Sequence, residues 1–265
     1  MDSILGTITS LAKALAMLTR TLNTCLCNSL DTHCMEIRKQ FFAEKSTEEL
    51  ADFLAQAIVM GVFSIAGIFG RKINVSSIMA LLTKRTKIDL MIHQIISNRG
   101  AMGTSDVLEE IEKQVNDHME IWPFIYDNIL SVEPIDVDWL NVFCEVFFTH
   151  YDPDRKETYG IYMTPEPVVS FMVRAVEWIL KEKFGITGDI SDRGVKWIDP
   201  GLGTGRFLSA AFNSNCNQGN FNNQYEGYEI NITPYFLAYL RMEILKKQGP
   251  MPINEIDLNF NRSRW

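Results

Sequence analysis

Residues Trp197 to Phe207 read WIDPGLGTGRF: a short apolar run ending in an acid, Asp199, then glycine at positions 201, 203 and 205. Glycine at every second position lets a backbone come close to another group, because no Cβ stands in the way. In an α/β sheet, ligands lie beyond the carboxyl ends of the strands, where such a loop would sit. This loop does not close as a P-loop does, because Arg206-Phe207 stands where Lys and Ser or Thr are required. It is also G-x-G-x-G behind an Asp-Pro pair, not the G-x-G-x-x-G of dinucleotide sites. Glycines alone would equally serve a tight strand-to-helix turn. The discriminating residue is a second acid. Glu229 ends the strand-like stretch YEGYEI, residues 225–230, where a carboxylate can accept hydrogen bonds from a ribose diol. The plain alternative is a solvated acid at a strand end.

Both acids need a frame, and the flanking sequence supplies one. Thr164-Pro-Glu-Pro marks a helix start, with Thr164 as cap and Pro165 in the first turn. Val169, Met172, Val173, Val176, Ile179 and Leu180 then share one helical face, and Phe184-Gly185 ends the run. Val195-Lys-Trp-Ile198 reads as a strand, a helix follows from about Arg206, and residues 225–230 form a second strand. Pro234 opens another helix running to Lys247. That alternation is the start of a doubly wound α/β sheet.

Residues 1–150 have a different, helical texture. Ser46-Thr-Glu-Glu forms a capping box, with Glu49 three residues after its cap. Val75–Ile96 and Ser105–Asn116 carry helical spacing, with Ser105 or Asp106 as cap of the latter and Asn98-Arg-Gly as a stop before it. Glu133-Pro134 breaks the chain, and Val137–Phe148 forms a very apolar helix. No nucleophile, base and orienter recur there at a recognisable spacing. The expected division is an all-helical domain over 1–150 and an α/β lobe over 151–265.

Charge limits the partners. The chain carries a net −8. Residues 1–150 hold 12 basic and 19 acidic side chains, and residues 151–265 hold 13 and 14. Neither part is the basic body of a stand-alone nucleic-acid binder, whose affinity comes largely from phosphate neutralisation. Cys25, Cys27, Cys34, Cys144 and Cys216 are an odd set, which fits reduced thiols in a cytoplasm. Cys25, Cys27, His33 and Cys34 lack the spacing of paired zinc knuckles, and thiols along a helix are the better reading. Phe53–Phe69 has membrane length, but Gln56 and Ser64 interrupt it, so a buried helix is expected and no membrane span. The N-terminus lacks a basic secretory pattern, and a cytoplasmic location is expected.

Three stretches carry a family resemblance. TYGIYMTPEPVVSFMVRAVEWILKEKFG (158–185) resembles the opening motif of gamma-type, adenine-specific DNA methyltransferases, in which Y-x-T-P precedes a helix along the cofactor pocket. VKWIDPGLGTGRFL (195–208) resembles their cofactor loop, and YEGYEIN (225–231) their strand with the ribose-binding acid. The match is strongest to the methyltransferase of Type I-like, single-polypeptide restriction–modification enzymes. FFTHYDPDRKETYG (147–160) is similar to the linker after their helical coupler, and residues 1–144 resemble the coupler more weakly, through LADFLAQAIVMGVF.

The resemblance implies the fold class: α/β, a partial doubly wound methyltransferase (Rossmann-like) sheet preceded by an all-helical domain. It implies S-adenosylmethionine as cofactor, cradled by Asp199 and the backbone of Gly201, Gly203, Thr204 and Gly205. Thr164, beside Tyr162 and Pro165, would contact the methionine end. Glu229 would bind the ribose hydroxyls, with Ile230 packing near the adenine. Gly201 replaces the usual Ala, and Leu202 is bulkier than the residues common there.

Adenine methylation also needs the base out of its stack and its amine held against the methyl carbon. The family does this with Asn/Asp-Pro-Pro-Tyr/Phe. The chain has nine prolines, no two adjacent, so the motif is absent from it. Asn259-Phe260, in the closing NFNRSRW, reads as a loop or frayed end in preference to a stripped catalytic pair. No catalytic residue is therefore assigned, and whether the chain is an enzyme stays open. The expectation is a truncated cofactor-binding portion, inactive alone and meeting DNA only through a complementary subunit or a missing C-terminal part. A protein partner is expected on the exposed sheet edge. The alternatives are a non-catalytic partner-binding or sensing subunit of an antiphage defence complex, and an unrelated nucleotide-binding regulatory module.

Overall fold

The computed structural model describes residues 2–34, 44–80, 87–131, 137–158, 161–186, 195–217, 224–248 and 255–260. These residues form two compact units. One holds the chain up to Ile121 together with the stretch from Val146, and the other holds Trp122–Glu145 with the residues from 161 onward.

The first unit is helical: α1 (Asp2–His33), α2 (Thr47–Phe69), a 3-10 turn at Val75–Ala80, α3 (Lys87–Ser97), α4 (Ser105–Asp117) and a 3-10 turn at Met119–Ile121. α2 is apolar on nearly every side and, Asp52 apart, buried from Leu50 through Ile68, so it is a core helix, packed against α1, α3 and α4. It is long and apolar enough to cross a membrane, yet its surface is used inside this unit. Its capping box forms as the sequence predicts. The Glu49 amide donates to Ser46 Oγ at 3.1 Å, and the Ser46 amide donates to the Glu49 carboxylate at 3.0 Å. Gly70 ends the helix with φ of 59°. α1 offers α2 a stripe of Leu11, Leu15, Leu22 and Leu26, all buried.

Two expectations change here. Val75–Ile96 is not one helix, because a 3-10 turn occupies Val75–Ala80 and α3 begins at Lys87. The side chains of Asn116 and Glu112 take the amides of Ile73 and Val75, at 2.9 Å each, and the Ser77 amide bonds locally to Asn74 Oδ1 at 3.0 Å, a competitor of regular helix. α4 starts after Thr104, not after Ser105 or Asp106, and has no side-chain cap, since Thr104 Oγ1 turns back to the Arg99 carbonyl. Glu133-Pro134 lies outside the described residues. The described cysteines Cys25, Cys27, Cys34 and Cys144 are free thiols, and burial pushes the Cys34 thiol up to about 11.

The next helices are α5 (Trp122–Leu130), α6 (Trp139–Tyr151) and α7 (Pro153–Thr158). Within the helical unit, Tyr151 Oη donates to Asp52, and Arg155 pairs with the same carboxylate at 2.8 Å. Arg20 Nε donates to the Tyr151 carbonyl at 2.8 Å. These bonds tie the end of α6 and α7 to α1 and α2. α5 and the start of α6 group with the sheet instead, so the compact units divide the chain differently from a cut at residue 150. Asn213 Nδ2 donates to the carbonyls of Ile129 and Ser131, and Asn128 spans Val137 and Trp139, which binds this segment into the second unit.

That unit continues with α8 (Glu166–Phe184), β1 (Lys196–Asp199), α9 (Arg206–Asn217), β2 (Gln224–Glu229), α10 (Ile232–Gln248) and β3 (Glu255–Phe260). The strands are parallel in the order β1-β2-β3, with α9 and α10 as the crossovers that parallel pairing requires. Asn259-Phe260 is not the loop or frayed end expected of it, because both residues pair in β3 with Tyr228 and Glu229 of β2. The order runs one way among the described residues. The sheet is thus a small parallel α/β sheet, and the reversal of a doubly wound fold is not among its described strands.

α8 departs from its predicted face. Only Val169 and Val173 are buried, while Met172, Val176 and Ile179 stay more than 40% exposed, as do Phe171 and Trp178. It also starts one residue late. Pro165 is the N-cap, its carbonyl accepts the amides of Val168 and Val169, and Thr164 precedes the helix without capping it.

Candidate functional site

β1 delivers Asp199 to the head of the glycine loop. Its Oδ1 accepts the Gly201 amide at 3.1 Å, an Asx-type turn, and its Oδ2 is buried with no hydrogen-bond partner among the described residues. The loop then folds back on the sheet. The Leu202 amide donates to the Tyr228 carbonyl at 2.9 Å, and the Gly205 amide to the Leu202 carbonyl at 2.9 Å. Gly203 and Gly205 have φ of 54° and 79°, which side-chain-bearing residues rarely adopt. A Cβ on Gly205 would also come within 3.2 Å of Ala238, so α10 packs directly on the loop backbone.

Leu202 is explained by a residue on the neighbouring strand. It is 3% exposed and lies over Gly227, where an added Cβ would sit 2.7 Å from Leu202 Cδ1. The bulk that distinguishes this loop therefore points into the sheet.

In the parallel register Asp199 faces Gly227, and β2 runs two residues further to Glu229. Glu229 is 8% exposed, so it is not a solvated strand-end acid. One oxygen accepts the Gly203 amide at 2.8 Å; the other accepts the amides of Ile230 and Asn231 at 2.8 and 2.7 Å. The side chain thus clamps the glycine loop and starts α10. Burial raises its pKa against the pull of these backbone donors. Asp199 is raised for the same reason, with only the Gly201 amide opposing.

Asp199, Gly201, Gly203, Thr204, Gly205, Glu229 and Ile230 are thereby brought together at the loop. Tyr162 and Pro165 are exposed and Thr164 half-buried, on the segment leading into α8. That segment is fastened near the loop by its next residue: Glu166 forms an ion pair with Arg206, the first residue after Gly205.

Behind the loop lies a cluster that sequence reasoning missed. Arg241, wholly buried on α10, donates from Nε to the Thr204 carbonyl at 2.9 Å and from Nη2 to both oxygens of Asp138 at 2.9 Å. Asp138 also pairs with Arg206 Nε at 3.2 Å and accepts the Asn141 amide at 3.1 Å, capping α6. Thr204 Oγ1 donates to Asn141 Oδ1. Burial would raise the Asp138 carboxyl, but the Arg241 and Arg206 guanidiniums outweigh it and hold it below the usual range. The available signal was Arg241 itself, a cation between Leu240 and Met242 in an otherwise apolar turn.

Comparison with known proteins falls on the same residues. Residues 135–253 match the family model for N-6 DNA methylases. The segment resembles an N-6 DNA methylase. The matched N-6 DNA methylase stretch contains the glycine loop, both acids and the whole Asp138–Arg241 cluster. Two solved structures share the fold. A DrdV–DNA complex has a TM-score of 0.60 and 19% identity over 96% of this chain and 24% of its own. A nuclease-deletion mutant of the Type ISP restriction-modification enzyme LlaGI, in complex with a DNA substrate mimic, has a TM-score of 0.54 and 18% identity, over 92% and 23%. The chain thus spans about a quarter of the length of these two solved chains. None of the curated proteins matches it.

Two outcomes follow from this geometry. Gly227→Ala should cost about 1–3 kcal/mol in urea unfolding, as overpacking does, and far less in a Leu202→Ala background, where the obstructing methyls are gone. A raised folded pKa means that the stability contributed by protonated Asp199 is full below its unfolded value and is lost as pH rises through the folded value. Asp199→Asn keeps an acceptor for Gly201 and removes that titration. Its stability relative to the parent should increase from about pH 4 to about pH 7, and equal curves at both ends would contradict the buried charge.

Proposed function

We propose that this chain carries the S-adenosylmethionine-binding lobe of an adenine-specific DNA methyltransferase of the restriction–modification kind. The observation that carries the reading is the buried Oδ2 of Asp199 at the head of the glycine loop, which has no hydrogen-bond partner among the described residues. An unsatisfied buried acceptor costs free energy, and a ligand with an N–H or O–H donor relieves it. The donor set fits such a ligand. Asp199 and the backbone of Gly201, Gly203, Thr204 and Gly205 form the cradle. Tyr162, Thr164 and Pro165 meet the methionine end, Glu229 takes the ribose hydroxyls, and Ile230 lies beside the adenine. When bound, S-adenosylmethionine supplies a methyl group on a positively charged sulfur, open to attack by an amine.

These 265 residues hold and orient that group but contain no Asn/Asp-Pro-Pro-Tyr/Phe motif to present a base. DNA is met through a complementary subunit or a further part of the protein, in keeping with the net charge of −8. The finer fold is one wing of a Rossmann-like sheet. A protein partner covers its β1 edge, where Ile198 is 56% exposed on a strand that pairs with β2 alone among the described strands. The setting is cytoplasmic, in restriction–modification or antiphage defence.

Calorimetry tests the reading: S-adenosylmethionine binds, ATP and NAD do not, and the 265-residue chain puts no labelled methyl into DNA. No heat with S-adenosylmethionine, or an affinity untouched by both Asp199→Ala and Glu229→Ala, would sink it. For the covered edge, sedimentation should show association that grows with concentration. A clean monomer throughout would count against it.

A further inference from the structure

We infer that Arg241 is the positioning residue of the glycine loop, holding the Thr204 carbonyl so that the loop is shaped for its ligand in advance. The inference rests on the proposed reading of the loop as the S-adenosylmethionine cradle.

The first argument is the cost of the residue. Arg241 is wholly buried, on a helix whose Leu240, Met242 and Leu245 are buried too. Apolar side chains would fill that space without the desolvation of a guanidinium, and replacing buried ion pairs by apolar residues is often neutral or stabilising. Packing gives no reason for a cation there. Geometry does, because Nε donates to the carbonyl of Thr204, the single residue between Gly203 and Gly205. Those two glycines sit at positive φ and are the loosest joints of the loop. Thr204 is held at both of its polar ends, the carbonyl by Arg241 and the hydroxyl by Asn141.

The second argument is reach. Asp138 grips Arg241 through both oxygens and also takes Arg206, whose other side pairs with Glu166. One carboxylate therefore fixes the loop at Thr204 and Arg206, and through Glu166 the segment of Tyr162, Thr164 and Pro165. These are the two stretches assigned to the cofactor, and Arg241 is the member that touches the loop backbone between its glycines. A planar guanidinium can serve Thr204 and Asp138 together; an ammonium has one nitrogen and cannot reproduce that fork.

The test uses the 265-residue chain with Arg241→Met and Arg241→Lys. Two readouts are taken: S-adenosylmethionine affinity by calorimetry, and amide exchange at Gly203–Arg206 against β2. Both variants should speed exchange in the loop while leaving β2 as it was. If the competent loop falls to about a tenth of the population, apparent affinity falls about tenfold, with the lysine variant intermediate. A merely structural role would speed exchange in loop and strand together and would overturn the inference, as would unchanged loop exchange in a folded variant. Should Arg241→Met not fold, the lysine variant decides alone, because it keeps the charge beside Asp138. If the parent chain does not bind S-adenosylmethionine, the cofactor reading fails, and loop exchange still decides whether Arg241 holds the loop.

Discussion

Asp138 lies between two guanidiniums, 8% exposed, with Arg241 on one side and Arg206 on the other. A buried charge is tolerated only when paired and hydrogen-bonded, and here every element around the loop supplies part of the pairing. α10 gives Arg241, α9 gives Arg206, α8 gives Glu166 beyond it, and α6 begins on Asp138 itself. The corner of the sheet is therefore organised by polar geometry, while apolar packing of α10 and α9 on the strands provides the bulk. The division of labour is physical: apolar contact is non-directional, and a loop with three glycines needs directional contacts to have one shape.

Local features were legible because their causes are local. The Ser46–Glu49 capping box, the helix stop at Gly185 and the start of α9 at Arg206 depend on residues within a turn or two of each other. The two acids and the glycine loop were legible for the same reason, as they lie at strand ends that alternation marks. Arg241 and Asp138 stand 103 positions apart, and no periodicity links them. Gly227 was also invisible as a functional choice, since its role is to leave room for Leu202 on another element. The apolar face of α8 misled in the opposite sense. Helical spacing shows that residues share a face and does not show whether another element covers it.

Likeness to known proteins is uneven along the chain. The N-6 DNA methylase match covers the sheet unit from before Asp138 to beyond α10, while the shared fold of the two solved complexes extends over nearly the whole chain. The helical unit owes its coherence to different physics. α2 is sealed inside it, and the Tyr151–Asp52–Arg155 bonds fasten its last helix to its first two. A helix of that length and apolarity is stable in water only as a centre, so the unit is built outward from α2.

Glu229 has one more consequence. Its carboxylate accepts one amide of the glycine loop, that of Gly203, and two from the turn into α10, those of Ile230 and Asn231. One side chain thus spans the loop, the end of β2 and the start of α10. Loop and helix start are therefore one mechanical piece, and a displacement of either pulls on the other.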